Sequence, residues 1–111
     1  MSKERNPKLY LRDILDAIAK IEDYTEGLSF EEFSKNNLVV DAVVRNFEII
    51  GEASKNIPEE TKSQYSQIPW KEMAGMRDKM IHEYFGVDLE IVWETIKTRL
   101  PQLKFLLGDI Y

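Results

Sequence analysis

Residues 38–57 read LVVDAVVRNFEIIGEASKNI, and helical spacing makes this stretch apolar on two flanks of one helix. Val39 and Val43 lie on one flank, and Val40 and Phe47 lie on the other. A helix that is apolar on two sides needs two surfaces to pack against. One surface is its own bundle, and a second copy of the protein is the candidate for the other.

The same three- and four-residue spacing of apolar positions recurs along the rest of the chain, whereas period-two alternation and hairpin turns are absent. It predicts long helices over residues 11–24, 38–57, 70–85 and 89–103, with short helical turns at 29–32 and 59–64. Pro101 lies inside the last pattern and predicts a kink or break just before it. We therefore expect an all-α, up-and-down bundle of about four to five helices, in a single domain over residues 1–111.

The composition excludes several classes of protein. The 111 residues include no cysteine, which rules out disulfides and thiolate metal sites. No apolar run approaches the roughly 18 residues that cross a bilayer, and the N-terminal residues lack the hydrophobic core of a signal peptide. We expect a cytoplasmic protein without a membrane segment.

The net charge of −5 counts against a protein dedicated to binding RNA or DNA. Such proteins usually carry a basic surface, because their affinity comes largely from neutralising phosphates. Acidic residues outnumber basic ones in both halves of the chain, so neither half is a basic arm. A local basic pocket remains compatible with this balance.

Residues 77–86 read RDKMIHEYFG and contain the only histidine of the chain. Arg77 fills the middle of the apolar stripe of the predicted helix over 70–85. A guanidinium there is always charged, so it must meet a carboxylate or line a cleft that admits an anion. Glu48 and Glu52, on the preceding long helix, are the candidate internal partners.

The spacing around His82 allows two interpretations. His82 lies about 140° around the helix from Arg77, but it shares a face with Gly75 and Asp78. A glycine inside a helix costs about 1 kcal/mol and suggests close approach of another backbone or a ligand, and Asp78 could fix the imidazole tautomer. Alternatively, the helix dipole favours His82 at this helix end, and Asp78 forms an ordinary surface pair. Tyr84 returns to the side of Arg77.

The motif and its surroundings resemble a known family, the HEPN domains, and within it the HepT-like toxins. Arg77, His82 and Tyr84 match the R-x4-H-x-Y motif of that branch without a gap. The matching segments around it are IIGEA at 49–53, IPEE at 57–60, IPW at 68–70, AGMR at 74–77 and YFGVD at 84–88. The resemblance covers the chain from residue 8 onward.

The resemblance implies a HEPN-like helical-bundle homodimer that acts as a metal-independent endoribonuclease. Arg77 and His82 correspond to the active-site pair, and Asp78 to an auxiliary position. The HepT-like branch is generally paired with a nucleotidyltransferase antitoxin, which silences the toxin by transferring AMP from ATP onto the motif tyrosine, here Tyr84. The sequence leaves open whether transfer RNA or messenger RNA is cut.

Metal-free RNA cleavage uses the ribose 2′-OH as nucleophile and needs a base, an acid and positive charge at the phosphorane. A monomer has one histidine, and its arginine cannot deprotonate. It therefore lacks one of the two proton-transfer groups unless Tyr84 acts as the second. A two-fold interface along this helix would bring two copies of Arg77 and His82 into one cleft.

Two competing interpretations belong to other classes. The first is a non-catalytic helical module that binds nucleotide or docks onto a nucleotidyltransferase, with Arg77 as a phosphate ligand; the net charge of −5 favours it. The second is a metal enzyme, which one histidine and no cysteine support poorly because only carboxylates remain as ligands. We therefore expect no metal and no cofactor.

Overall fold

The computed structural model describes the backbone of residues 5–85 and 88–110 and the side chains of residues 5–80 and 88–110. Helices cover most of these residues, and no strand occurs among them. The elements are α1 (Pro7–Thr25), α2 (Phe30–Ser34), α3 (Asn37–Lys55), α4 (Glu59–Gln64), α5 (Trp70–Ala74), α6 (Met76–Phe85), α7 (Leu89–Glu94), a π-helical turn (Thr95–Arg99) and α8 (Leu100–Gly108). The predicted all-α helical bundle is confirmed. Of the helices described, none is long and apolar enough to cross a membrane.

Helix α3 is the central element of the bundle. It packs against α1, against α5 and α6, and against the short helix α2, while α8 contacts α1 and α7 contacts α6. Val43, Phe47 and Ile50 of α3 are completely buried. Helices of the same chain therefore cover most of both apolar flanks of α3, while Val39 and Ile49 stay partly exposed. The expectation that a second copy of the protein packs on one flank stays a prediction.

The end of α1 and the start of α2 lie where the sequence predicts them. Gly27 has φ +77°, a conformation that favours glycine, and α1 ends two residues before it. The Ser29 hydroxyl accepts a hydrogen bond from the Glu32 amide, and the Glu32 carboxylate accepts one from the Ser29 amide. The predicted capping box is confirmed.

The predicted helix over residues 70–85 is interrupted, so its continuity was wrong. Gly75 separates α5 from α6 and has φ −78° and ψ −9°, away from the regular α-helical ψ. Its amide still bonds to the Lys71 carbonyl, and its own carbonyl accepts the Lys79 amide. The break is thus confined to Gly75 and leaves these two backbone hydrogen bonds in place. Gly86, the predicted end of this helix, lies outside the described residues.

The last helical segment deforms just before Pro101, as predicted. Asp88 caps α7 by accepting the Ile91 amide, and the five residues Thr95–Arg99 then form a π-helical turn in which the Leu100 amide reaches the Thr95 carbonyl. Proline cannot donate the regular bond, and a wider turn accommodates the change. The Arg99 side chain, at the end of this turn, binds Glu72 of α5 through two hydrogen bonds of 2.6 and 2.7 Å.

Candidate active site

A cleft of about 390 Å³ lies along the outer face of α3, between the first turns of α1 and the start of α6. Tyr10 and Asp13 of α1 form one wall, and Arg77 of α6 forms the other, with Arg5 at the N-terminal end of α1. The floor is one stripe of α3 at three- and four-residue spacing, made of Arg45, Glu48, Ile49, Glu52, Ala53 and Asn56.

The Arg77 side chain lines this cleft. This agrees with the prediction that an arginine within the apolar stripe meets a carboxylate or lines a cleft. Its side chain is 46% exposed, and its Nη1 atom lies 3.5 Å from Glu52 Oε2. The prediction that Glu52 is an internal partner of Arg77 is confirmed, and Glu48 lines the same cleft. At this distance between two half-exposed groups the ion pair is weak. An anion that enters the cleft can therefore compete with Glu52 for the guanidinium.

Gly51 holds the backbone of Arg77 against α3. A Cβ atom added at Gly51 would lie 2.9 Å from both the Cβ and the amide nitrogen of Arg77, and 3.2 Å from the Ala74 carbonyl oxygen. Only glycine permits this approach of the two helices. Gly51 was not among the predicted site residues, although a glycine inside a helical pattern is the signal that could have found it.

Gly75, by contrast, makes no close approach to another helix among the described residues. It is exposed, and an added Cβ atom would meet only the Lys71 and Glu72 carbonyl oxygens, at 3.4 and 3.6 Å. These are ordinary van der Waals contacts from its own helix. The close contact expected at Gly75 is found at Gly51 instead, and contact of Gly75 with a ligand or a second chain stays a prediction.

Two further arginines line the cleft and were missed by the sequence analysis. Arg5 donates a 2.6 Å hydrogen bond to Asp13 and lies 4.9 Å from the centroid of the Tyr10 ring. The hydrogen bond with Asp13 raises the pKa of Arg5 above its usual value. Arg45 is exposed. No hydrogen bond or ion pair joins it to any of the residues whose side chains are described.

The other predicted site residues lie further along α6. The helix is continuous from Met76 to Phe85, so Arg77 and His82 are about 140° apart around its axis. Asp78 is exposed and is not part of the cleft lining. The side chains of His82 and Tyr84 lie outside the described residues, so the structure neither brings them to Arg77 nor separates them from it.

The positive and negative side chains of the cleft balance, unlike those of the whole chain. Its three arginines are matched by three carboxylates, Asp13, Glu48 and Glu52, whereas the whole chain carries a net charge of −5. Such a cleft offers guanidinium groups to an anionic ligand. Among the side chains at 5–80 and 88–110, no three His, Cys, Asp or Glu groups are placed to hold a metal ion.

Comparison with known proteins gives one consistent family. The model of the family described as "Ribonuclease HepT-like" matches residues 14–110. The chain is 52% identical over 101 residues to the "Probable ribonuclease HepT" of Thermococcus cleftensis, covering 91% of this chain and 92% of that protein. It is 49% identical over 106 residues to the "Putative RNase TTE0752" of Caldanaerobacter subterraneus, covering 96% and 95% of the two chains.

A third relative extends the same pattern. The "Putative RNase MJ1216" of Methanocaldococcus jannaschii is 48% identical over 101 residues, which are 91% of this chain and 84% of that protein. No solved structure matches the chain. The family match and the helical bundle agree with each other, and the chain therefore belongs to the HepT-like ribonuclease family.

Proposed function

We propose that this protein is a metal-independent endoribonuclease that cleaves RNA through attack by the ribose 2′-OH. One structural observation supports the proposal most strongly: the Arg77 guanidinium, from the R-x4-H-x-Y motif, is half exposed in an open cleft, and its one ion pair among the side chains at 5–80 and 88–110 is a 3.5 Å contact with Glu52. Membership of the HepT-like ribonuclease family supports it independently.

Each motif residue has a distinct proposed role. Arg77 binds the phosphate being cleaved and stabilises the negative charge that develops on it, because a guanidinium stays charged and offers several donors. His82 transfers the proton to or from a reacting oxygen, since its unperturbed pKa lies closest to neutrality. Asp78, four residues earlier on the same helix, fixes the orientation of the imidazole.

A homodimer supplies the groups that one chain lacks. The chain has one histidine, whereas the reaction needs a base and an acid. The angle of about 140° between Arg77 and His82 on α6 also favours pairing each residue with the complementary one of a second chain. In this proposal residues 1–111 form one domain, and a two-fold axis brings two copies of α6 to one RNA-binding cleft.

We place the enzyme in a cytoplasmic toxin–antitoxin pair with a nucleotidyltransferase. The partner transfers AMP from ATP onto the hydroxyl of Tyr84, and pyrophosphate leaves. Tyr84 lies two residues after His82 and seven after Arg77, which is two turns along α6. An added phosphate there carries negative charge close to where the phosphate of the substrate binds, and it repels RNA.

A second candidate function is a non-catalytic partner of a nucleotidyltransferase. The net charge of −5 and the three carboxylates in the cleft favour it, because they oppose binding of a polyanion. Here Arg77 would bind a nucleotide phosphate, and His82 would be a helix-end residue. This candidate predicts binding of ATP or of the partner without any cleavage of RNA.

Incubation of the purified protein with total cellular RNA, with and without EDTA, separates the two functions. The ribonuclease proposal predicts cleavage in EDTA and products with 2′,3′-cyclic phosphate and 5′-hydroxyl ends. The His82→Ala variant should lose cleavage while keeping the circular-dichroism spectrum and size of the parent protein. Intact RNA with the parent protein, or full cleavage by His82→Ala, would refute this assignment.

A further inference from the structure

Arg45 is the cation of the cleft that has no ion-pair or hydrogen-bond partner among the described residues. Arg5 is bound to Asp13 at 2.6 Å, and Arg77 is 3.5 Å from Glu52. Arg45 lines the same cleft, but it forms no ion pair or hydrogen bond with the residues described. Its positive charge is therefore available to a ligand without displacing a carboxylate.

The position of Arg45 on α3 separates it from the Arg77 end of the cleft. Arg77 contacts Glu52, which lies seven residues after Arg45 on the same helix. Seven residues are two turns, or about 10 Å along the helix axis. Arg45 and Glu52 both face the cleft because a seven-residue interval returns to the same side of a helix. The two arginines thus mark two anion positions along one groove.

A guanidinium in this situation fits a phosphodiester. Arginine offers planar, paired donors that match two phosphate oxygens, and its charge does not depend on pH in the physiological range. A polynucleotide presents phosphates at regular intervals, so one strand lying along α3 can meet both arginines. A free mononucleotide phosphate would engage only one of them.

We propose that Arg45 binds a phosphodiester of the RNA that flanks the one that is cleaved. The inference rests on the proposed ribonuclease function and adds a second phosphate subsite to the same cleft. Arg45 acts on substrate affinity and on the register of the strand, and it does not touch the reacting atoms. It also supplies a local basic contact that the net charge of −5 does not reveal.

The test pairs one protein substitution with one substrate substitution. A short RNA around a mapped cleavage site carries a neutral methylphosphonate at one flanking linkage at a time. With the parent protein, neutralising one particular linkage should lower kcat/KM by roughly tenfold, as for loss of a charge-assisted hydrogen bond. Arg45→Gln should lower kcat/KM on unmodified RNA by a similar factor, mainly through KM, and should show no further loss on that modified RNA.

Two variants control for indirect effects. Arg12→Gln removes the same charge from an exposed residue of α1 that is not part of the cleft lining, and it should leave kcat/KM unchanged. Arg45→Lys keeps the charge and should recover part of the lost affinity. Size-exclusion profiles of all variants should match the parent, since Arg45 is exposed and has no partner among the described residues.

Binding is measured separately from cleavage, with an RNA that has a 2′-deoxyribose at the cleaved position. Arg45→Gln should reduce the slope of log affinity against log salt by about 0.7, the value for one single-strand phosphate contact. An Arg45-dependent slope without cleavage by the parent protein would support the subsite and reject the ribonuclease. Equal losses on modified and unmodified RNA, or an unchanged slope, would overturn the role of Arg45. Absence of both binding and cleavage would overturn both proposals.

Discussion

The backbone of Arg77 lies directly against Gly51, so that a Cβ atom on Gly51 would come within 2.9 Å of the Arg77 amide nitrogen. This contact joins α3 to the start of α6 and sets where the guanidinium enters the cleft. It involves backbone atoms, which cannot rotate away as a side chain can. The geometry of the candidate site therefore depends on a residue that has no functional group.

We expect Gly51→Ala to destabilise the fold and to displace Arg77. Overpacking costs about 1–3 kcal/mol, and this outweighs the gain of up to about 1 kcal/mol from better helix propensity. Urea unfolding measures the free energy, and RNA cleavage measures the displacement. Gly75→Ala is the matched control, because an added Cβ there meets only ordinary contacts of 3.4 Å or more. Equal stability of the two variants would contradict the packing argument.

Glu52→Gln should increase the affinity for RNA. Glu52 competes with phosphate for Arg77, and its ion pair is partly exposed, which limits the gain to about 1 kcal/mol or roughly fivefold in KM. The unfolding free energy should change little. Steady-state cleavage kinetics give KM and kcat separately. A lower kcat with unchanged KM would show instead that Glu52 orients Arg77 for the reaction.

Tyr84 is expected to be the only acceptor of AMP. Incubation with ATP and the cognate nucleotidyltransferase should raise the mass by one or more AMP units and should stop RNA cleavage. Tyr84→Phe should abolish the mass increase. Tyr10→Phe, which alters a tyrosine that lines the cleft, should leave it unchanged. Labelling of the Tyr84→Phe protein would place the acceptor elsewhere.

The pair of Glu72 and Arg99 gives a pH-dependent contribution to stability. The hydrogen bond with Arg99 lowers the pKa of Glu72 below its usual value of 4.5. Because the folded state has the lower pKa, the stabilisation is present above about pH 4.5 and is lost as the pH falls through the folded-state pKa. Both side chains are partly exposed, so solvent screening limits the effect to about 1 kcal/mol or less.

Urea unfolding of the parent and Glu72→Gln proteins at several pH values tests this contribution. The parent should be more stable at neutral pH, and the difference should disappear in acid. Glu31→Gln is a control for an ordinary exposed pair on α2, since its 3.7 Å contact with Lys35 is weaker. A difference that stays constant from neutral to acid pH would exclude the pKa shift as its cause.

Local patterns in the sequence were sufficient for most of the helices and for the expectation that Arg77 meets a carboxylate or lines a cleft, but they did not predict the interruption at Gly75. Apolar spacing located the long helices, and the Ser29 capping box and the deformation before Pro101 follow from short-range chemistry. The contact between Gly51 and α6 could not be derived in this way, because it depends on which helices become neighbours. Gly75 was the more conspicuous glycine because it stands beside the motif.

Arg45 was missed for a similar physical reason. On α3 it stands between the buried residues Val44 and Asn46, and a single charged position in a helix normally faces solvent. Only the arrangement of α1 and α6 on either side turns that solvated stripe into the floor of a cleft. A sequence pattern shows which residues share one face of a helix. Whether that face forms the floor of a groove depends on the distances between the three helices.

The rate of RNA cleavage in EDTA by Arg77→Ala, compared with Lys79→Ala, shows whether the Arg77 guanidinium takes part in the reaction. Lys79 is exposed on the same helix but does not line the cleft, so its removal is matched for charge and for helix position. Our account predicts that Arg77→Ala lowers kcat by roughly 100-fold or more, as for other lost transition-state contacts, while Lys79→Ala keeps most of the parent rate. Cleavage by Arg77→Ala at the rate of the parent protein would contradict it.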